Sequence, residues 1–145
     1  MQSKLIQEGA SERTWALIFE AGEETMAGLQ EFAYQANLTA SHFTAMGAFS
    51  DAALGFFDTD AKEYAKISIR EQVEVLSLLG NVARHQGRPK VHAHVVVGKQ
   101  DGSAHGGQLL QANVRPTLEV IVFEAPKHLE QQTDDRTGLP LLNVG

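Results

Sequence analysis

The sequence predicts an α+β domain, a mainly antiparallel β-sheet with one principal α-helix, and three observations point there. A single stretch, Glu23 to Asn37, carries its apolar residues at helical spacing. After it the chain breaks into short apolar segments separated by Gly, Asp and Ser, the pattern of successive strands in an antiparallel sheet. The length of 145 residues suits one core rather than two. Residues 1–145 therefore read as one domain, with about 126–145 a C-terminal tail that packs on it.

The first strand is Trp15-Ala16-Leu17-Ile18-Phe19, aromatic and β-branched, running into a turn at Ala21-Gly22. In the helix, Met26, Leu29, Phe32, Ala33 and Ala36 share a face, Glu23, Glu24 and Thr25 suit the positive end of the dipole, and Asn37 is the stop. Strands follow at His42 to Gly47, Ala52 to Phe57, Tyr64 to Ile69, Val73 to Leu79, Val91 to Gly98, Gln108 to Val114 and Leu118 to Phe123. The last has apolar side chains at both parities, so both of its faces need cover, one by the helix or a second layer and the other by another subunit. An oligomer is expected. The polar stretch Glu130 to Arg136 leads into Gly138-Leu139-Pro140-Leu141-Leu142, a surface tail whose apolar end packs back, with a frayed terminus as the alternative.

Composition narrows the function classes. There is no cysteine, which removes disulfides, thiolate metal sites and cysteine nucleophiles and suits a reducing compartment. No apolar run reaches the roughly 18 residues of a membrane span or follows the start as a signal peptide would, so a cytoplasmic protein without a membrane partner is expected. With 18 acidic against 12 basic residues the net charge is −6, and no global positive field steers the chain to nucleic acid.

The segment most informative about chemistry is Val91-His92-Ala93-His94-Val95, because residues i and i+2 of a strand share a face and bring two imidazoles side by side. Such a pair can hold a transition metal. Zinc or another divalent ion needs a third ligand, and His105 supplies it if the chain pairs back across the Lys99 to Ser103 turn. The alternative is that both rings simply hydrogen-bond neighbours in a half-buried sheet. A second candidate is Asn81 to Lys90, where Arg84, Arg88 and Lys90 gather without an acidic residue and could touch phosphates; a solvated hairpin loop is the alternative. Gly106-Gly107 lacks the spacing of a dinucleotide fingerprint or phosphate loop and reads as a bulge or close backbone approach. No serine sits in a nucleophile elbow.

The run His92-Ala93-His94, then Asp101-Gly102, Gly106-Gly107-Gln108-Leu109 and Val114-Arg115-Pro116-Thr117-Leu118-Glu119-Val120, resembles the signature of the plants-and-prokaryotes conserved (PPC) domain. That domain follows AT-hooks in plant nuclear proteins and stands alone in bacteria and archaea. The resemblance implies an α+β homotrimer and a DNA-associated regulatory role. It also implies, in some relatives, a metal held by histidines matching His92 and His94 with a third in a Gly-Gly-His motif. Here that third position is Gln108, whose amide oxygen is a poor zinc ligand. This chain also lacks an Arg-Gly-Arg-Pro core, Gln86-Gly87-Arg88-Pro89 being a partial echo.

The expectation is thus a trimeric binding module acting mainly through protein contacts, with a transcription factor as partner and DNA contact weak or indirect. The alternative is a metal or small-molecule site, hydrolytic through a metal-activated water. Gln108 and Glu119 are its candidate pocket residues, Glu119 being the nearest candidate for a general base.

Overall fold

The structure is a computed structural model describing residues 1–145. It contains strands β1 (Gln2–Glu8), β2 (Arg13–Glu20), β3 (Ala40–Asp58), β4 (Glu63–Ile69), β5 (Val73–His85), β6 (Arg88–Gly98), β7 (Ala104–Glu124), β8 (Glu130–Thr133) and β9 (Pro140–Asn143), and one helix, α1 (Thr25–Gln35). The predicted α+β class, mainly antiparallel with one helix, holds.

Two very long strands organise the sheet. β3 and β7 pair antiparallel along most of their length. The second half of β7 also takes β2, the first half of β3 takes β5, and β6 bridges β5 to the first half of β7. Pairing therefore closes into a ring, β3–β5–β6–β7. Inside it lie Phe43, Phe49, Leu54, Leu78, Val97, Leu109 and Leu118, all essentially solvent-free, and α1 covers the core with Leu29 and Phe32 while packing on β6 and β7.

Helix α1 starts and stops as its residues dictate. The Glu24 carboxylate caps it by accepting from the amides of Met26 and Ala27. At the far end Asn37 takes φ of 51° and the Leu38 amide bonds back to Ala33, a left-handed C-terminal cap.

Several expected boundaries moved. His42–Gly47 and Ala52–Phe57 are one strand, β3, whose pairing slips at Gly47, Phe49 and Asp51; turn-type residues there make bulges in a bent strand rather than ending it. The segments before and after Arg115-Pro116 likewise merge into β7. The Asn81–Lys90 stretch is not an extended loop. β5 and β6 run to a two-residue turn at Gln86-Gly87, both at positive φ, with His85 paired to Arg88. β1 went unrecognised because it is a polar edge strand in which only Leu5 is half-buried. The C-terminal hairpin β8–β9 docks with β8 parallel to the end of β5, Arg84 facing Glu130 and His85 facing Gln131. No helix is long and apolar enough to cross a membrane.

Candidate functional site

β6 is a strand with one buried and one open face. Val91, Ala93, Val95 and Val97 point into the core, so His92, His94 and Val96 point out. Its start is clamped by Gln30 of α1, whose amide donates to the Pro89 carbonyl at 2.8 Å while its oxygen accepts from the Val91 amide. The two imidazoles lie with ring centres 5.2 Å apart and planes nearly perpendicular.

Across the hairpin the amide of Lys99 bonds to the carbonyl of Ser103, and this fixes the register: His94 faces Gln108, and Val97 faces His105. The hairpin is as expected, but its consequence is not. His105 shares the face of buried Val97, the side of the strand opposite to His92 and His94, and the three histidines are not gathered within one chain. No cluster of three or more His, Cys, Asp or Glu side chains suited to a metal forms.

Gln108 takes the third place instead. Its Oε1 lies 3.2 Å from His92 Nε2 and accepts from the Tyr64 hydroxyl at 2.6 Å. Gln108 can sit there because Gly107 lets β7 press on β3: a Cβ on Gly107 would come within 2.8 Å of the Gly55 carbonyl oxygen, the close approach suggested by the paired glycines. Burial pushes the His92 imidazole below its ordinary value. The hydrogen bond to Gln108 opposes this, and the neighbouring His94 and Lys90 charges add to it, so the neutral form of His92 is favoured.

The histidine pair opens on a cavity of about 670 Å³ between the Tyr64 strand, the start of β6 and the C-terminal hairpin. Lys62, Lys90 and Gln131 line it with His92, His94 and Gln108. On its other side His94 borders a depression of about 400 Å³ shared with Phe56, Leu79 and Val96.

The remaining expected residues separate. Arg84 is ion-paired with Glu130 of the docked hairpin, Arg88 is exposed at the turn, and Lys90 faces the cavity, so the three cations form no common phosphate grip. Glu119 faces Ile18 and Met46, with β3 and β5 between it and β6, so within one chain it stands apart from the histidine pair. Tyr64, Lys62 and Gln131 were missed. No local pattern marks them, since Tyr64 meets Gln108 across 44 positions of sequence.

As a metal centre the donor set is two imidazoles and a carboxamide oxygen already engaged by Tyr64. His92 and His94 are the residues that would hold a divalent ion, and within one chain they fall one good ligand short of an open, three-ligand zinc site.

A family model for the Plants and Prokaryotes Conserved (PCC) domain matches residues 6–126. Among solved structures, a metal-containing protein from Archaeoglobus fulgidus is 32% identical, with TM-score 0.84, covering 99% of this chain and 97% of its own. A plant- and prokaryote-conserved protein of Pyrococcus horikoshii is 26% identical, with TM-score 0.84 and coverage of 99% and 95%. A protein from Ralstonia eutropha described as a "putative DNA-binding protein" is 25% identical, with TM-score 0.83 and coverage of 90% and 91%. No curated protein matches the chain.

Proposed function

The chain belongs to the Plants and Prokaryotes Conserved family, and from that premise we propose that it is a cytoplasmic, homotrimeric, DNA-associated regulatory module that works mainly through protein contacts. The observation carrying this reading is the uncovered apolar outer face of the sheet. Leu79, 58% exposed, pairs with His94 across β5–β6 with Val96 beside it, and Met46 of β3 is 74% exposed, where a monomer would keep polar side chains. A second copy seated there would bury them. The charge argues against a direct grip on DNA: three copies at −6 each carry −18, and Arg84 is neutralised by Glu130. Its DNA association, suggested by the description of the Ralstonia relative, would then run through a partner such as a transcription factor.

Sedimentation equilibrium and gel shifts test this. A trimer that becomes monomeric on Leu79→Glu, with no shift of free DNA at micromolar trimer, is the expected result. A monomer at all concentrations refutes the assembly. A tight shift that weakens steeply with salt refutes the protein-mediated mode.

A second reading, favoured by the meeting of His92, His94, Gln108 and Tyr64 at a cavity and by the metal-containing Archaeoglobus relative, is a metal or small-molecule binding site. A divalent transition metal such as zinc would supply Lewis acidity there. The chain's own residues would orient it: Gln108 steers His92, and Tyr64 steers Gln108. Elemental analysis of untagged protein against His92→Ala decides the metal half. Equal content in both removes it.

A further inference from the structure

We propose that the 670 Å³ cavity binds a small flat organic anion, a carboxylate or phosphate ester on an aromatic or similarly apolar body, with Lys62 and Lys90 holding the charged group. The proposal rests on the small-molecule half of the second reading and needs no metal.

Charge is the first argument. The chain is acidic, yet the 14 residues lining this cavity include two lysines and no Asp or Glu. Neither Lys62 nor Lys90 has an ion-pair partner. Lys90 is half-buried beside His92, where an unmatched ammonium gains more from a counter-ion than it would in open water. Asp134, which feels the Lys62 charge, accepts from the hydroxyl and amide of Thr137 and forms no ion pair with the lysine.

Shape is the second. Phe57 and Tyr64 meet edge to face with ring centres 5.1 Å apart on one wall, and Leu139, Pro140 and Leu141 make the other, a slot suited to a flat apolar body. Two cations without an acidic neighbour in the lining and apolar walls describe an amphipathic anion better than inorganic phosphate.

The test is a calorimetric and ¹H–¹⁵N NMR titration of the full chain with phenyl phosphate, benzoate, inorganic phosphate and neutral benzyl alcohol, in EDTA. Saturable shifts confined to residues around Lys62, Lys90 and Leu139 are expected with phenyl phosphate or benzoate, and the stronger of the two assigns the head group. Inorganic phosphate and benzyl alcohol should bind at least about tenfold more weakly, each lacking half of the contacts. Lys62→Met with Lys90→Met, both away from the core, should weaken the aryl anion by about tenfold or more. No saturable shift up to about 10 mM, or an unchanged affinity in the double variant, overturns the proposal. Loss of binding in EDTA overturns direct lysine capture in favour of a metal-bridged anion. Loss of metal from His92→Ala with anion binding intact sinks the metal reading alone.

Discussion

The replacement Gln108→His probes the site most sharply, because the structure states what the new side chain would meet. Position 108 faces His94 directly across the β6–β7 pair, and its side-chain oxygen already lies 3.2 Å from His92 Nε2. An imidazole there joins two others on one open face and gives three nitrogen ligands with a free fourth position, a set that holds zinc where an amide oxygen does not. With free zinc at about 100 times the dissociation constant, binding to the folded state alone adds about 2.7 kcal/mol. For a chain of 145 residues that raises the melting temperature by roughly 5–10 °C. The assay is thermal unfolding with and without zinc at one protein concentration, alongside calorimetric titration. The variant should show the full shift and the native chain a small fraction of it. Adding His92→Ala to the variant should abolish it. Equal zinc shifts in the native chain and the variant, or a shift indifferent to His92, would refute the argument that ligand chemistry at position 108 limits metal binding.

Gly107→Ala drives a Cβ to 2.8 Å from the Gly55 carbonyl oxygen, a backbone atom that cannot swing aside, and should cost about 1–3 kcal/mol in chemical denaturation; an unchanged midpoint would show that β7 can retreat freely. Leu118→Ala opens a cavity at a fully buried position between β2 and β3 and should cost about 2–5 kcal/mol, read by the same melt. The Asp134 carboxyl is held below its ordinary value, first by the Thr137 hydroxyl, then by the Thr137 amide and the Arg136 and Lys62 charges. Its stabilisation of the C-terminal turn is therefore present above the usual aspartate range and is lost as pH falls through the lowered value. Amide signals of residues 134–139 should move in that acidic window, and Asp134→Asn should erase the response; an identical response in the variant would assign it to another group.

Much of the site was legible where the information is local. The shared face of His92 and His94 follows from the two-residue period of any strand, and it is present with the rings 5.2 Å apart. The Asn37 stop follows from the ease with which asparagine takes positive φ. The paired glycines at 106 and 107 announced a close approach, and Gly107 makes one with β3. Glycines and polar residues within β3 and β7 misled for the opposite reason: the same residues that end a short strand also bend a long one, and only the partners on either side distinguish the two.

His105 and Gln108 mark the division between what neighbouring residues settle and what the assembled sheet settles. Nothing in their immediate surroundings distinguishes them as partners for His94, and the choice falls to one contact at the turn, Lys99 to Ser103. Moving the pairing by a single residue would exchange the faces of every side chain that follows. The sequence by itself determined the helix, the antiparallel character and the adjacent imidazoles, because each depends on the geometry of a few consecutive residues. Tertiary structure alone decided that Gln108 rather than His105 meets His92, that Tyr64 holds it there, and that Lys62, Lys90 and Gln131 face the same cavity. Those side chains come from four separate strands and the turns between them, and register and closure of the β3–β5–β6–β7 ring, rather than local preference, bring them together.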